Sequence, residues 1–222
     1  MVPRPIPPNK SIMPKFKTSL AMQKGIIAPR RRVTLPFFEA TIGTPPVLVD
    51  SVTTVQSYRL NSCFDPRYAI GGAQPMGFDQ WAAMYKRYTV VSCSITVKCN
   101  PLTASYYGGN FGVNVVPEDS GSIPVVTSEA DAITSPWSKW NTYTQSAAAG
   151  KIVFKWDAAK YFGVDDIMDG DDFGSVVTNN PLRQAVAVVW ISADVNTQPT
   201  SMMNVYMEYD VIFHEPKEIG GS

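Results

Sequence analysis

The chain has 222 residues, 45% hydrophobic and 11% aromatic, with 19 basic and 19 acidic side chains, enough to bury the core of one domain. No run approaches the roughly 20 consecutive apolar residues of a membrane-spanning helix, and the Pro- and Lys-punctuated first segment lacks the apolar centre of a signal peptide; neither a membrane-spanning protein nor one secreted by that route is expected. The zero formal charge is a cancellation: residues 1–38 carry eight cations and no carboxylate, whereas residues 39–222 carry the other 11 cations and all 19 carboxylates, a balance of −8.

In chain order, the first feature is that basic segment. Its cations are Arg4, Lys10, Lys15, Lys17, Lys24, Arg30, Arg31 and Arg32. Pro3, Pro5, Pro7, Pro8, Pro14, Pro29 and Pro36 fix φ and remove backbone donors at short intervals, so residues 1–35 are expected to form an extended or disordered arm. A basic arm on an acidic body is the asymmetry of a chain that binds a polyanion at one end. Each phosphate contact releases condensed counterions, with a salt slope near −0.7 per contact for single strands, and needs no fixed geometry. Sequence specificity is then low. One arm alone binds weakly, but many arms on one assembly reinforce each other through effective concentration, which implies an oligomer.

Residues 36–216 read as one all-β shell domain, followed by a short tail, 217–222. Cys93, Ile95, Val97 and Cys99 alternate with Ser92, Ser94, Thr96 and Lys98, the pattern of a half-buried strand. Val205, Met207, Tyr209, Val211 and Phe213 alternate in the same way with Glu208, Asp210 and His214. Shorter alternations occupy 110–116 and 151–157, and the nearly continuous apolar run from Gln184 suits a central strand. With 35–42, 52–60 and 137–144 these make eight candidate strands separated by turn-rich stretches. Many strands at irregular spacing predict an eight-stranded Greek-key sandwich, a single jelly roll. One helix is expected over 78–88, because Phe78, Trp81, Tyr85 and Tyr88 fall on one stripe, with Asp79 in its first turn and Lys86 and Arg87 in its last.

Enzymatic constellations are missing from the pattern. His214 is the one histidine, and no nucleophile elbow, paired-histidine zinc motif, P-loop or dinucleotide-binding loop occurs, so no catalysis is expected. Cys63, Cys93 and Cys99 have no CxxC spacing, and the two on one strand stand too far apart to bridge; all three read as reduced core residues. Asp165, Asp166, Asp169, Asp171 and Asp172 crowd one loop. They read either as a solvated acidic loop or as a Ca²⁺ site shared between subunits, since hard cations take six to eight oxygens. No other cofactor is expected.

The stretch YRLNSCFDPRYAIGGAQPMGFDQWAAMYKRYTVVSCSITV, with Asp65-Pro66, Gln74-Pro75 and Gly77-Phe78-Asp79-Gln80 leading into a strand, resembles the single jelly-roll capsid proteins of small viruses with circular single-stranded DNA genomes. FKWDAAKYFG and the acidic loop continue the resemblance. It implies a T=1 icosahedral shell of about 60 identical subunits with heterologous contacts, localised in the virion and, during assembly, in the host nucleus or cytoplasm. It also implies an arm that lies inside the shell against single-stranded DNA; the DNA assignment rests on the resemblance alone, because phosphate contacts do not read the 2′-hydroxyl. Two other classes compete. A β-sandwich binding module, such as a lectin-like or cytokine-like trimer, leaves the basic arm unexplained, and a non-viral nucleic-acid-binding protein leaves the acidic body unexplained.

Overall fold

A computed structural model describes residues 27–45, 51–69, 72–102, 108–118, 124–144, 150–168, 172–194 and 200–218. Within them the strands are β1 (Arg30–Gly43), β2 (Thr53–Arg59), β3 (Tyr85–Pro101), β4 (Gly108–Glu118), β5 (Ser138–Thr144), β6 (Gly150–Asp157), β7 (Gly174–Val176), β8 (Gln184–Ile191) and β9 (Ser201–Pro216). Three short helices join them: α1 (Phe78–Met84), α2 (Glu129–Thr134) and α3 (Ala158–Phe162). The strands form two antiparallel sheets, β1-β9-β3-β6 with β7 on the β6 side of β3, and β2-β8-β4-β5. This is the expected all-β jelly-roll sandwich, with the eight expected strands and one short addition, β7.

Alternation explains which residues meet between the sheets. Cys93, Ile95, Val97 and Cys99 of β3 and Met203, Val205, Met207, Tyr209, Val211 and Phe213 of β9 are buried, and their register pairs them directly, Cys93 opposite Tyr209 and Ile95 opposite Met207. Every residue of β8 from Ala185 to Ile191 is buried. Its inner face meets the main core; its outer face, Val186, Val188 and Trp190, is roofed by a second cluster with Val126 and Ala132. A strand covered on both sides reads as a continuous apolar run, as β8 does. The three cysteines are free and buried, as expected; burial pushes the Cys63 and Cys93 thiols well above their usual range and Cys99 up to about 11, so they pack as small hydrophobes.

Two expectations differ from the structure in detail. The helix expected over 78–88 stops at Met84: Tyr85 donates its N–H to Trp81 O, turns to extended backbone (φ −123°, ψ 155°) and opens β3. Pairing decides this, because Tyr85 lies opposite Pro216 and Arg87 opposite His214 in the β3/β9 ladder, and tertiary context overrides helix propensity. Lys86 and Arg87 therefore belong to a strand. The second difference is the start of β1. Pairing with β9 runs back to Arg30 opposite His214, so residues 30–35, expected in the arm, are strand; the length of β9 offers them a partner. The start of the expected tail is tied down, with Lys217 N donating to Met84 O at 2.9 Å and its Nζ to Ala82 O at 2.7 Å.

The stretch after β2 is organised by one largely buried cation. Arg59 donates from Nε to Gln184 Oε1 at 2.6 Å and from Nη1 to the carbonyls of Asp65 and Arg67 and to Asp65 Oδ2 at 3.1 Å. Its guanidinium lies 4.5 Å from the centre of the Tyr68 ring. Burial outweighs this ion pair at Asp65, whose carboxyl is raised above its ordinary pKa. Asn61 closes the same corner, donating to Arg183 O at 2.8 Å and accepting from Ala185 N at 3.1 Å.

Candidate nucleic-acid interface

Of the eight expected nucleic-acid contacts, Arg4, Lys10, Lys15, Lys17 and Lys24 lie outside the described residues. Arg30, Arg31 and Arg32 form the first turn of pleat in β1, and all three are exposed. The approach to that strand is fixed by Tyr85, whose hydroxyl donates to Ala28 O at 2.9 Å. The arginine run is thus held on a rigid element.

Around it the sheet supplies a specific setting. Arg32 makes a two-point contact with Asp210 of β9, its Nε donating to Oδ1 at 2.8 Å and its Nη2 to Oδ2, and the carboxylate raises the guanidinium further above its ordinary pKa. Arg30 sits opposite His214, which sits opposite Arg87 on β3. Three cationic or titratable side chains share one row across three strands. Glu215 lies beside them, 3.7 Å from Arg87 Nε and 3.8 Å from His214 Nδ1, with the left-handed φ of 57° that few side-chain-bearing residues adopt. His214 Nε2 lies 3.3 Å from the Thr89 hydroxyl. Sequence reasoning missed Arg87, because it was assigned to a helix; its pairing partner His214 becomes visible only with the register.

The acidic loop is described at Asp165, Asp166 and Asp172, all exposed; Asp169 and Asp171 lie outside the described residues. Asp166 Oδ1 accepts from Met168 N at 2.8 Å, a local turn of the loop on itself. Among the described residues no three His, Cys, Asp or Glu side chains converge as metal ligands, and no helix is long and apolar enough to cross a membrane.

Sheet order and antiparallel pairing define the class: a jelly-roll sandwich of two antiparallel sheets. No family model and no curated protein matches the chain. Among solved structures it is similar to that of Mud crab tombus-like virus (TM-score 0.51, 13% identity, 99% of this chain and 96% of that one). It is likewise similar to the semi-empty virus-like particle of giant freshwater prawn Macrobrachium rosenbergii nodavirus (TM-score 0.50, 10% identity, 89% of this chain and all of that one). At these identities the likeness is one of fold.

Proposed function

We propose that the chain is the coat subunit of a small virus, self-assembling into an icosahedral shell and holding single-stranded nucleic acid through its basic N-terminal segment. The observation that carries this reading is a jelly roll of the viral capsid type joined to a charge split of +8 on residues 1–38 against −8 on the rest. A fold alone fixes no function; the split adds the chemistry. Arg30, Arg31 and Arg32, held in extended backbone at the root of the segment, are its fixed phosphate contacts, with Arg4, Lys10, Lys15, Lys17 and Lys24 as the distal ones. Packaged single-stranded DNA, T=1 geometry and about 60 copies follow from the resemblance noted in the sequence and belong to the same proposal, as do residence in the virion and assembly in the host nucleus or cytoplasm.

Negative-stain electron microscopy of the purified full chain, with the A260/A280 ratio measured on nuclease-treated fractions, tests it. Uniform spheres with a protected nucleic-acid signal are expected. Monomers or trimers across salt and pH would favour the binding-module reading instead. Replacing Arg30, Arg31 and Arg32 together with Ala should lower the protected signal while particles still form.

A further inference from the structure

The outer face of the β1-β9-β3-β6 sheet carries large apolar side chains where the alternation calls for polar ones. Phe38 is 62% exposed, Ile42 63%, Tyr206 39% and Met202 38%. Register brings them together from opposite ends of the chain: Phe38 lies opposite Tyr206, and Ile42 opposite Met202. Two exposed rings standing opposite one another on neighbouring strands form a platform. Contiguous exposed apolar surface of this kind marks a binding site.

Charge decides what binds. The same face carries Arg30, Arg32, Arg87, Lys98, Lys151 and Lys155 against Asp157, Glu208, Asp210 and Glu215, a balance of +2 that comes from Arg30 and Arg32; its residues from 39 onward balance to zero, whereas residues 39–222 as a whole stand at −8. Asp210 is already engaged by Arg32, and Glu208 accepts from the Tyr206 hydroxyl at 3.2 Å. Lys98 and Lys151 stand directly opposite one another, one row beyond the aromatic pair, and neither has an ion-pair partner among the described residues. Like charges directly opposite across a ladder oppose pairing, and an anion between them removes the penalty. Aromatic faces flanked by unpaired cations are the chemistry of single-stranded nucleic acid, whose bases stack on rings while its phosphates track the positive charge.

We infer that this sheet face is a single-stranded nucleic-acid platform, with Phe38 and Tyr206 stacking bases and Lys98 and Lys151 holding the adjoining phosphates. The face is continuous with the arginine run at the start of β1, so a strand gathered by the arm is delivered onto it. The inference rests on the nucleic-acid reading of the arm, but its residues are different.

Fluorescence anisotropy of labelled oligo(dT)20 with the full chain, across a salt series, separates the two. F38A/Y206A should weaken binding about 10-fold or more without changing the salt slope, since stacking releases no counterions; Y206F should restore most of the loss. K98A/K151A should reduce the slope by about 1.4, and Gln at Lys10, Lys15, Lys17 and Lys24 by about 2.8. If the arm variant weakens binding and F38A/Y206A does not, the platform is wrong and the arm reading stands. If the unaltered protein shows no salt-dependent binding, both fall. If F38A/Y206A leaves affinity unchanged and lowers the oligomeric state in sedimentation velocity, the face is a contact between copies, which also overturns the inference. Phe38, Tyr206, Lys98 and Lys151 are solvent-facing, and thermal melting verifies that each variant folds.

Discussion

The strands β8 and β9, each inside its own sheet, bury their inner faces alike and treat their outer faces oppositely. On β8 the outward residues Val186, Val188 and Trp190 are fully buried under a second cluster, whereas on β9 the outward residues Met202, Tyr206 and Glu208 are exposed. The strand β8 is sealed on both sides and serves as scaffold, while β5 at the edge of its sheet stays mostly exposed. The sheet of β9 keeps a face open, and that is where Arg32, Lys98 and Lys151 are found. The contrast separates residues that hold the fold from residues left to meet something else, a distinction that hydrophobicity alone does not draw.

The contrast can be broken at several points. The largest effect is expected for Trp190→Ala, which leaves a cavity between β8 and its roof and removes the bond from its Nε1 to Asn114 Oδ1 at 3.1 Å; a loss of about 3–5 kcal/mol in denaturant unfolding is expected. Next comes Gly112→Ala. A Cβ at this position would approach the Trp190 ring to 2.5 Å, and overpacking of this kind costs about 1–3 kcal/mol. Tyr209→Phe deletes a buried bond from the hydroxyl to Arg59 O at 2.8 Å and should cost about 1 kcal/mol. Phe38→Ala, on the open face, should shift stability by no more than about 0.5 kcal/mol. A Phe38 variant as destabilised as Trp190→Ala would erase the distinction between the faces.

Much of the scaffold was legible because alternation is a local signal. Cys93 to Cys99 and Val205 to Phe213 declared their inward faces unaided, and the apolar run of β8 declared burial on both sides. The helix expected over 78–88 shows where local reading stops. Phe78, Trp81, Tyr85 and Tyr88 do form one cluster, with ring centres 5.9, 6.0, 6.1 and 6.4 Å from that of Phe213. Their association was readable; the element carrying the last two was not, because a helical stripe and a helix followed by a strand can present the same aromatics to the same partner. The short α3 had its own unread signals, Asp157 accepting from Lys160 N at 2.9 Å and Gly163 ending the helix at φ 69°. The arginine run was legible as charge, but its place in β1 depends on His214, Phe213 and Ile212 at the far end of the chain. The pairing of Phe38 with Tyr206 is a matter of register between distant strands, and no local pattern carries it.

The position of β9 has a consequence for how the molecule is made. It is the last described strand, yet it lies between β1 and β3 and provides the partner for each. Until residues 201–216 leave the ribosome, β1 and β3 have no β9 ladder to join, and their long edges stay available to other chains. Closing a sheet through its latest-made strand requires contacts of high sequence separation, which makes folding slow. Chains interrupted before β9 cannot complete the first sheet, so only chains translated through that strand can present the open face in finished form.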